Sequence, residues 1–147
     1  MPTYNYTLFR NLQEPHQPIL RPYIGVRLLH GHKQKDMVAL IDSGADLSLA
    51  HADMGRLLGI DVQTGRRWSY SGAVDSQVGR AYIHRLHLII LNFSSLDIDV
   101  AFSEQVAPGT FLHGQRDFFE NYDITFNLSS RTFTIEETAG AARHGAN

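Results

Sequence analysis

The sequence predicts an all-β fold for a single domain of 147 residues. Short apolar runs of the strand type alternate with polar or glycine-containing turns along most of the chain. Only two segments have helical character, and both are short. The hydrophobic fraction of 43% and the charged fraction of 19% are typical of a globular protein. We therefore expect a β-sheet core with one or two short helices.

Two β-hairpins are predicted from pairs of apolar runs. Residues 23–30 and 37–41 flank the polar segment 31–35. Near the C-terminus, residues 122–128 and 131–135 flank a pair of serines, which suits a tight turn. In both cases we expect the two runs to pair antiparallel.

A third pair of runs, 66–70 and 80–91, flanks the longer segment 71–79. This segment is polar and contains glycine near both ends, which predicts a mobile hairpin arm. Trp68 and Tyr70 precede the arm. They could line a pocket under it or pack against residues of a neighbouring strand, and the sequence leaves both interpretations open.

Residues 96–102 alternate between apolar and polar with a period of two, which indicates a half-buried strand. The apolar positions are Leu96, Ile98, Val100 and Phe102. Asp97 and Asp99 share the opposite face. Two aspartates could form part of a metal site, but a solvated strand face is the simpler prediction.

Two short helices are expected. Residues 52–58 precede Gly59, and glycine at this position suits the end of a helix. His51 is expected to help begin this helix. Residues 116–121 can form one or two turns at most.

Three regions are predicted along the chain. Residues 1–20 contain three prolines and are expected to form an extended N-terminal arm. Residues 21–136 hold all of the stronger strand and helix signals and form the domain itself. Residues 137–147 are rich in alanine and glycine, and we expect a flexible tail.

The composition argues against several classes of function. The formal net charge is −2, and the densest basic spot is the pair Arg66-Arg67, so we expect neither a nucleic-acid nor a membrane partner. The chain has no cysteine, which excludes disulfides and thiolate chemistry. Residues 1–7 lack the features of a signal peptide, and the longest apolar run, 86–91, is too short to span a bilayer. A cytoplasmic protein is expected.

The strongest functional signal is the apolar run 37–41, which ends at Asp42 and continues with Ser43 and Gly44. A buried strand would hold the carboxylate firmly, and a glycine lets backbone approach it and donate an N–H group. Asp-Ser-Gly is also favourable turn chemistry, so a structural turn is the alternative. No second Asp-Ser/Thr-Gly occurs in the chain.

Residues 38–46, with the sequence Val-Ala-Leu-Ile-Asp-Ser-Gly-Ala-Asp, resemble the active-site loop of the retropepsins, the single-lobe aspartic proteases of retroviruses and their bacterial relatives. Residues 111–119 resemble the apolar–apolar–glycine segment of that family, which leads into a short helix behind the active site. The order of the predicted elements between residues 20 and 136 also matches. The resemblance implies a closed, β-barrel-like, single-lobe acid-protease fold and an aspartic endopeptidase.

The resemblance also implies roles for individual residues. Asp42 corresponds to the catalytic carboxylate. Ser43 and Gly44 correspond to the supports of the active-site loop, Ser43 through a hydrogen bond between subunits. Ala45 and Asp46 correspond to substrate-binding positions, and Asp46 could instead pair with an arginine. Residues 71–79 correspond to the flap that closes over the peptide, and Gly72, Ala73 and Val74 are the flap residues expected to contact it.

The chain departs from the family pattern at three places. His113 replaces the apolar residue that usually precedes the glycine of the second motif. Gln115 follows that glycine, where many retroviral members have arginine; Arg116 or Arg21 could then pair with the active-site loop. The flap has Gly72 before its tip but no glycine-rich tip.

The single Asp-Ser-Gly predicts a C2 homodimer. Aspartic proteases use two carboxylates, and a two-fold axis would bring Asp42 together with its copy in a second chain. The expected substrate is a peptide or protein bound between the subunits, with no metal or cofactor. The ends of the two chains, including Tyr4, Tyr6 and residues 132–134, could interleave in a shared sheet.

Two other classes of function are weighed against the protease. The same dimeric fold could hold an extended peptide without cutting it, as a non-catalytic binding module. A metal hydrolase is suggested by eight histidines, including the pairs His30/His32 and His84/His87. No His-Glu-x-x-His motif occurs, and scattered structural histidines are the simpler prediction.

Overall fold

A computed structural model describes residues 2–71 and 78–139 of the chain. These residues contain twelve β-strands and one α-helix, α1 (Ala52–Leu57). The strands are β1 (Thr3–Asn5), β2 (Thr7–Phe9), β3 (Ile19–Arg21), β4 (Tyr23–His30), β5 (Lys33–Ile41), β6 (Ser48–His51), β7 (Arg66–Ser71), β8 (Val78–Ile89), β9 (Leu96–Ser103), β10 (Phe111–His113), β11 (Tyr122–Asn127) and β12 (Thr132–Glu137). The all-β prediction is confirmed.

Six strands form a closed barrel. Hydrogen-bonded neighbours follow the order β4-β5-β10-β6-β9-β8, and β8 pairs back onto β4. β7 extends the sheet along the first half of β8. Closure pairs both sides of the barrel strands and so removes the exposed edges of an open sheet. The closed, barrel-like fold expected from the resemblance is therefore present.

The short strand β10 connects distant parts of the barrel. It runs parallel to β5, with Leu112 opposite Leu40 and His113 opposite Ile41. It runs antiparallel to β6, with Leu112 also opposite Leu49. Because β5 and β10 point the same way, the residues that follow them meet at the same edge of the barrel. This edge brings the two sequence motifs together.

The barrel core confirms the alternation predicted for β9. Ile98, Val100 and Phe102 are fully buried, and each such side chain contributes roughly 1.5–3 kcal/mol through burial. Ala101 on the opposite face is also buried, in a second apolar cluster. Its buried partners are Leu47, Leu49, Ala81 and Ile83. The end of β9 is thus covered on both faces.

The β4–β5 and β11–β12 hairpins both form as predicted, but the turn of the first is shorter than expected. β11 and β12 pair along their whole length. In the β4–β5 hairpin, His30 pairs with Lys33, so the turn consists of Gly31 and His32 only. Gly31 has a φ of +58°, which two-residue hairpin turns favour because it matches the strand twist. Residues 33–36 therefore join β5 despite their polarity.

Helix α1 begins at Ala52, where the sequence predicts, and ends at Leu57, one residue before the predicted end. The Nδ1 atom of His51 accepts a hydrogen bond from the N–H of Asp53 at 3.0 Å, so His51 caps the first turn. Gly59 follows the helix with a φ of +76°, a conformation that favours glycine.

Residues Gln115–Phe119 form an irregular turn rather than a regular helix. Asp117 has a φ of +67° within it. The carboxylate of Asp117 accepts a hydrogen bond from the N–H of Asp99 at 2.7 Å. It also forms an ion pair with the guanidinium of Arg85 at 3.2 Å. These contacts fix the turn against β9 and β8 and help to explain its unusual backbone.

The N-terminal residues fold back onto their own chain. β1 pairs with β12, with Thr3 opposite Thr134, and β2 pairs with β3. Because β12 lies between β1 and β11, residues 132–134 have neighbours on both sides. These are pairings within one chain, and the interleaving of the ends of two chains stays a prediction. The outer edges of this small sheet belong to β1 and β11.

Candidate active site

The candidate site lies where β5 leaves the barrel. Asp42 follows Ile41 at the end of β5, and the loop 42–47 leads into β6. Asp42 is partly buried, whereas Ser43, Gly44 and Asp46 are exposed. The carboxylate is thus carried by a packed strand but remains open to a ligand.

Three hydrogen bonds hold Asp42. Its N–H donates to the carbonyl of His113 at 3.0 Å, and its own carbonyl accepts from the N–H of Ala45 at 3.2 Å. Its carboxylate oxygen Oδ1 accepts from the N–H of Gly44 at 3.0 Å. A Cβ atom at position 44 would lie 3.2 Å from the same oxygen, which is a tight contact. The role predicted for this glycine, a close backbone approach to the carboxylate, has a direct geometric basis.

Gly114 permits the close packing of the second motif on the loop. A Cβ atom at this position would lie 2.6 Å from the carbonyl carbon of Leu47 and 2.7 Å from the carbonyl oxygen of Ala45. The N–H of Gly114 donates to Oγ of the fully buried Ser48 at 3.2 Å. Sequence reasoning missed Ser48, because its partner is 66 residues away.

The residues after Gly114 continue along the loop. The N–H groups of Gln115 and Arg116 donate to the carbonyls of Ala45 at 2.8 Å and Asp46 at 3.1 Å. The side-chain amide of Gln115 also donates to the carbonyl of Ser43 at 2.9 Å. Sequence reasoning treated Gln115 only as a departure from the family pattern.

No arginine pairs with the Asp46 carboxylate in the part of the chain that the structure describes. The guanidinium of Arg116 instead lies 3.8 Å from the carboxylate of Asp99. The guanidinium of Arg21 donates to the carbonyl of Leu20 at 3.0 Å. The Asp46 carboxylate is consequently exposed at the open side of the loop.

A cleft of about 460 Å³ opens beside Asp42. The loop 42–47 contributes Asp42, Gly44, Ala45 and Asp46, and strand β7 contributes Trp68, Ser69, Tyr70 and Ser71. The apolar wall consists of Leu47, Leu49 and Leu112. The indole of Trp68 stacks on the ring of Tyr70 with a centroid distance of 5.7 Å. These aromatic residues therefore line the cleft, and their stacking on each other runs along β7 and not across strands.

The predicted flap begins above this cleft. β7 and β8 pair out to Ser71 and Val78. The proposed peptide-contacting residues Gly72, Ala73 and Val74 lie outside the described residues, and their role stays a prediction.

The base of this hairpin is anchored through Tyr70. Its hydroxyl lies 2.9 Å from Oγ of Ser103, which in turn donates to the carbonyl of Arg80 at 2.6 Å. A Cβ atom at Gly79 would lie 2.2 Å from the Tyr70 ring. Gly79 thus makes room for this ring.

The two aspartates of β9 have different environments. The Asp99 carboxylate is 20% exposed and lies 3.0 Å from Arg85, so it is not the solvated group that the sequence predicts. Asp97 is exposed and lies 2.8 Å from Nδ1 of His87. Among the described residues, no group of three histidine, aspartate or glutamate side chains is arranged to hold a metal ion.

His113 is the most unusual residue of the site. Its ring is fully buried, and neither ring nitrogen has a hydrogen-bond partner among the described residues. It stacks on the ring of Phe118 at 4.1 Å and meets the edge of Phe111 at 4.8 Å. Burial lowers the pKa of His113 to about 3, so the ring is neutral over most of the pH range.

In its fold, the chain resembles the retropepsin-like aspartic proteases. A solved structure of this class, a retropepsin-like aspartic protease from Rickettsia conorii, aligns with 90% of this chain and 99% of its own, with a TM-score of 0.55 and 14% identity. At this identity the likeness concerns the fold. No protein-family model matches the sequence, and no curated protein matches it. Within the described residues, no helix has the length and apolar character needed to cross a membrane.

Proposed function

We propose that this protein is an aspartic endopeptidase whose catalytic group is Asp42. The observation that carries the proposal is the setting of this carboxylate. It follows a packed barrel strand, accepts the N–H of Gly44 at 3.0 Å and faces a cleft of about 460 Å³. A carboxylate fixed in this way beside a cleft can activate a water molecule for attack on a bound peptide.

Each chain supplies one such carboxylate, and hydrolysis by this mechanism needs two. Two carboxyl groups about 3 Å apart share one proton, because both cannot be ionised at that distance. The ionised group accepts a proton from the water, and the protonated group donates to the scissile carbonyl. We therefore propose a C2 homodimer in which the second carboxyl is the Asp42 of another copy.

The walls of the cleft fit an extended peptide. The apolar side chains Leu47, Leu49 and Leu112 can receive substrate side chains, and the exposed Asp46 carboxylate can accept backbone N–H groups. In this proposal the segment that joins β7 to β8 covers the bound peptide, and its base is anchored through Tyr70. Ser43 is exposed and available for the proposed bond to the second subunit.

The test is cleavage of a diverse peptide library by the purified protein between about pH 3 and 7. The variant Asp42→Asn should abolish cleavage, because the amide cannot accept the proton of the water. Asp123→Asn, at an exposed position of β11, is the matched control and should leave the activity unchanged. Cleavage that survives Asp42→Asn would contradict the proposal. Tight peptide binding without cleavage would instead favour the non-catalytic binding module.

A further inference from the structure

The peptide unit between Ser43 and Gly44 is held on both of its sides. Its N–H donates to Oδ1 of Asp42 at 3.0 Å, and its carbonyl accepts from Nε2 of Gln115 at 2.9 Å. Because the peptide unit is planar, a rotation that breaks one of these bonds also misdirects the other. The Gln115 side chain is therefore linked to the Asp42 carboxylate through one intervening peptide unit.

The direction of these bonds makes them mutually reinforcing. The Gln115 amide polarises the Ser43 carbonyl, which makes the N–H of the same peptide unit a better donor. That N–H faces a carboxylate, and hydrogen bonds to charged acceptors are stronger than neutral ones. The arrangement favours a fixed orientation of the carboxylate at the mouth of the cleft.

The backbone of Gln115 is fixed independently of its side chain. Its N–H donates to the carbonyl of Ala45 at 2.8 Å, and it follows Gly114, which packs directly on the loop. The side chain is exposed in the single chain, so burial does not account for its position. Its one hydrogen bond in the described structure is the bond to Ser43, 72 residues away in the sequence.

We infer that Gln115 is a positioning residue that orients the Asp42 carboxylate through the Ser43–Gly44 peptide. The inference rests on the proposed function of Asp42 as the catalytic group. In this inference Gln115 acts through the Ser43–Gly44 peptide unit and not by contact with the substrate or the water. Arginine, the residue that many retroviral relatives carry after the glycine, has its Nε at the same number of bonds from Cα as the Nε2 of glutamine. An arginine could thus keep a donor near the Ser43 carbonyl.

The kinetic test compares three variants at equal dimer fraction, measured by analytical ultracentrifugation. Gln115→Met keeps the length of the side chain but removes the donor, and we expect kcat to fall about tenfold while KM changes less than about twofold. Gln115→Arg should recover most of the lost kcat. Gln34→Met, at an exposed position of β5, is the matched control. An unchanged kcat in Gln115→Met, or a loss that follows dimer dissociation alone, would overturn the inference.

A second measurement does not depend on activity. In the ¹⁵N-labelled protein, we expect amide exchange of Gly44 to become at least about fivefold faster in Gln115→Met and to return toward the original rate in Gln115→Arg. An unchanged Gly44 rate in Gln115→Met would overturn the inference even in an active protease. If the protein with its natural sequence cleaves no peptide, the proposed function fails, and the Gly44 rate still decides whether Gln115 orients the loop.

Discussion

The imidazole of His113 lies flat on the ring of Phe118, with the centroids 4.1 Å apart and the planes 2° from parallel. The ring is fully buried, and the backbone carbonyl of the same residue accepts the hydrogen bond from the N–H of Asp42. A titratable side chain without a polar partner in the described structure therefore belongs to a residue whose backbone is hydrogen-bonded to the candidate catalytic residue. We expect the stability of the protein to depend on the charge of this ring.

Stability should fall as the pH falls because of His113. Its pKa is about 3 in the folded protein and near 6.5 in the unfolded chain, so the unfolded chain binds more protons between these values. The lost stability amounts to at most about 1.4 kcal/mol per pH unit over this window. His113→Leu should remove this part of the loss. Urea unfolding at pH 7.5 and 4.5 measures it, with the exposed His16→Leu as control. An equal pH dependence in His113→Leu and the original protein would contradict the prediction.

Gly114→Ala should disrupt the site. The added Cβ would meet the backbone of Leu47 at 2.6 Å, and backbone cannot give way as a flexible side chain can. We expect a loss of about 3 kcal/mol in the free energy of unfolding, or failure to fold. Gly25→Ala is the control, because nothing lies within 4 Å of a Cβ at that position. Equal stability of the two variants, measured by thermal unfolding, would contradict the close packing of Gly114 on the backbone of Leu47.

Tyr70→Phe should loosen the base of the hairpin formed by β7 and β8. It removes the hydroxyl that lies 2.9 Å from Oγ of Ser103 and leaves the stacking on Trp68 in place. We expect a loss of about 1 kcal/mol in the free energy of unfolding and faster amide exchange in the adjoining part of β8. Hydrogen exchange followed by mass spectrometry measures the second effect. Exchange that is unchanged in β8 would argue against an anchor at Tyr70.

Local patterns predicted much of the fold and the centre of the site. The alternation in β9, the two hairpins and the position of Asp42 all depend on short stretches of sequence with clear periodicity. The family resemblance added the closed barrel and the meeting of residues 111–114 with the active-site loop. These predictions needed no knowledge of how individual side chains meet.

The remaining features depend on contacts between distant residues. Ser48 and Gln115 have partners 66 and 72 residues away, and neither residue type indicates such a contact by itself. The pairing of β1 with β12 joins the two ends of the chain. The alternation around Asp99 predicts a solvated strand face. Asp99 is partly covered because Arg85 and the turn at Asp117 lie against it.

The most direct test of the central claim, a dyad of Asp42 from two chains, is a subunit-mixing experiment. Protein with the natural sequence is mixed with Asp42→Asn under conditions that exchange subunits, at constant total protein concentration. If both carboxylates are needed, cleavage should fall with the square of the active fraction, to about one quarter in an equal mixture. A linear fall, to about one half in the same mixture, would show that each Asp42 acts without a second one and would contradict the account.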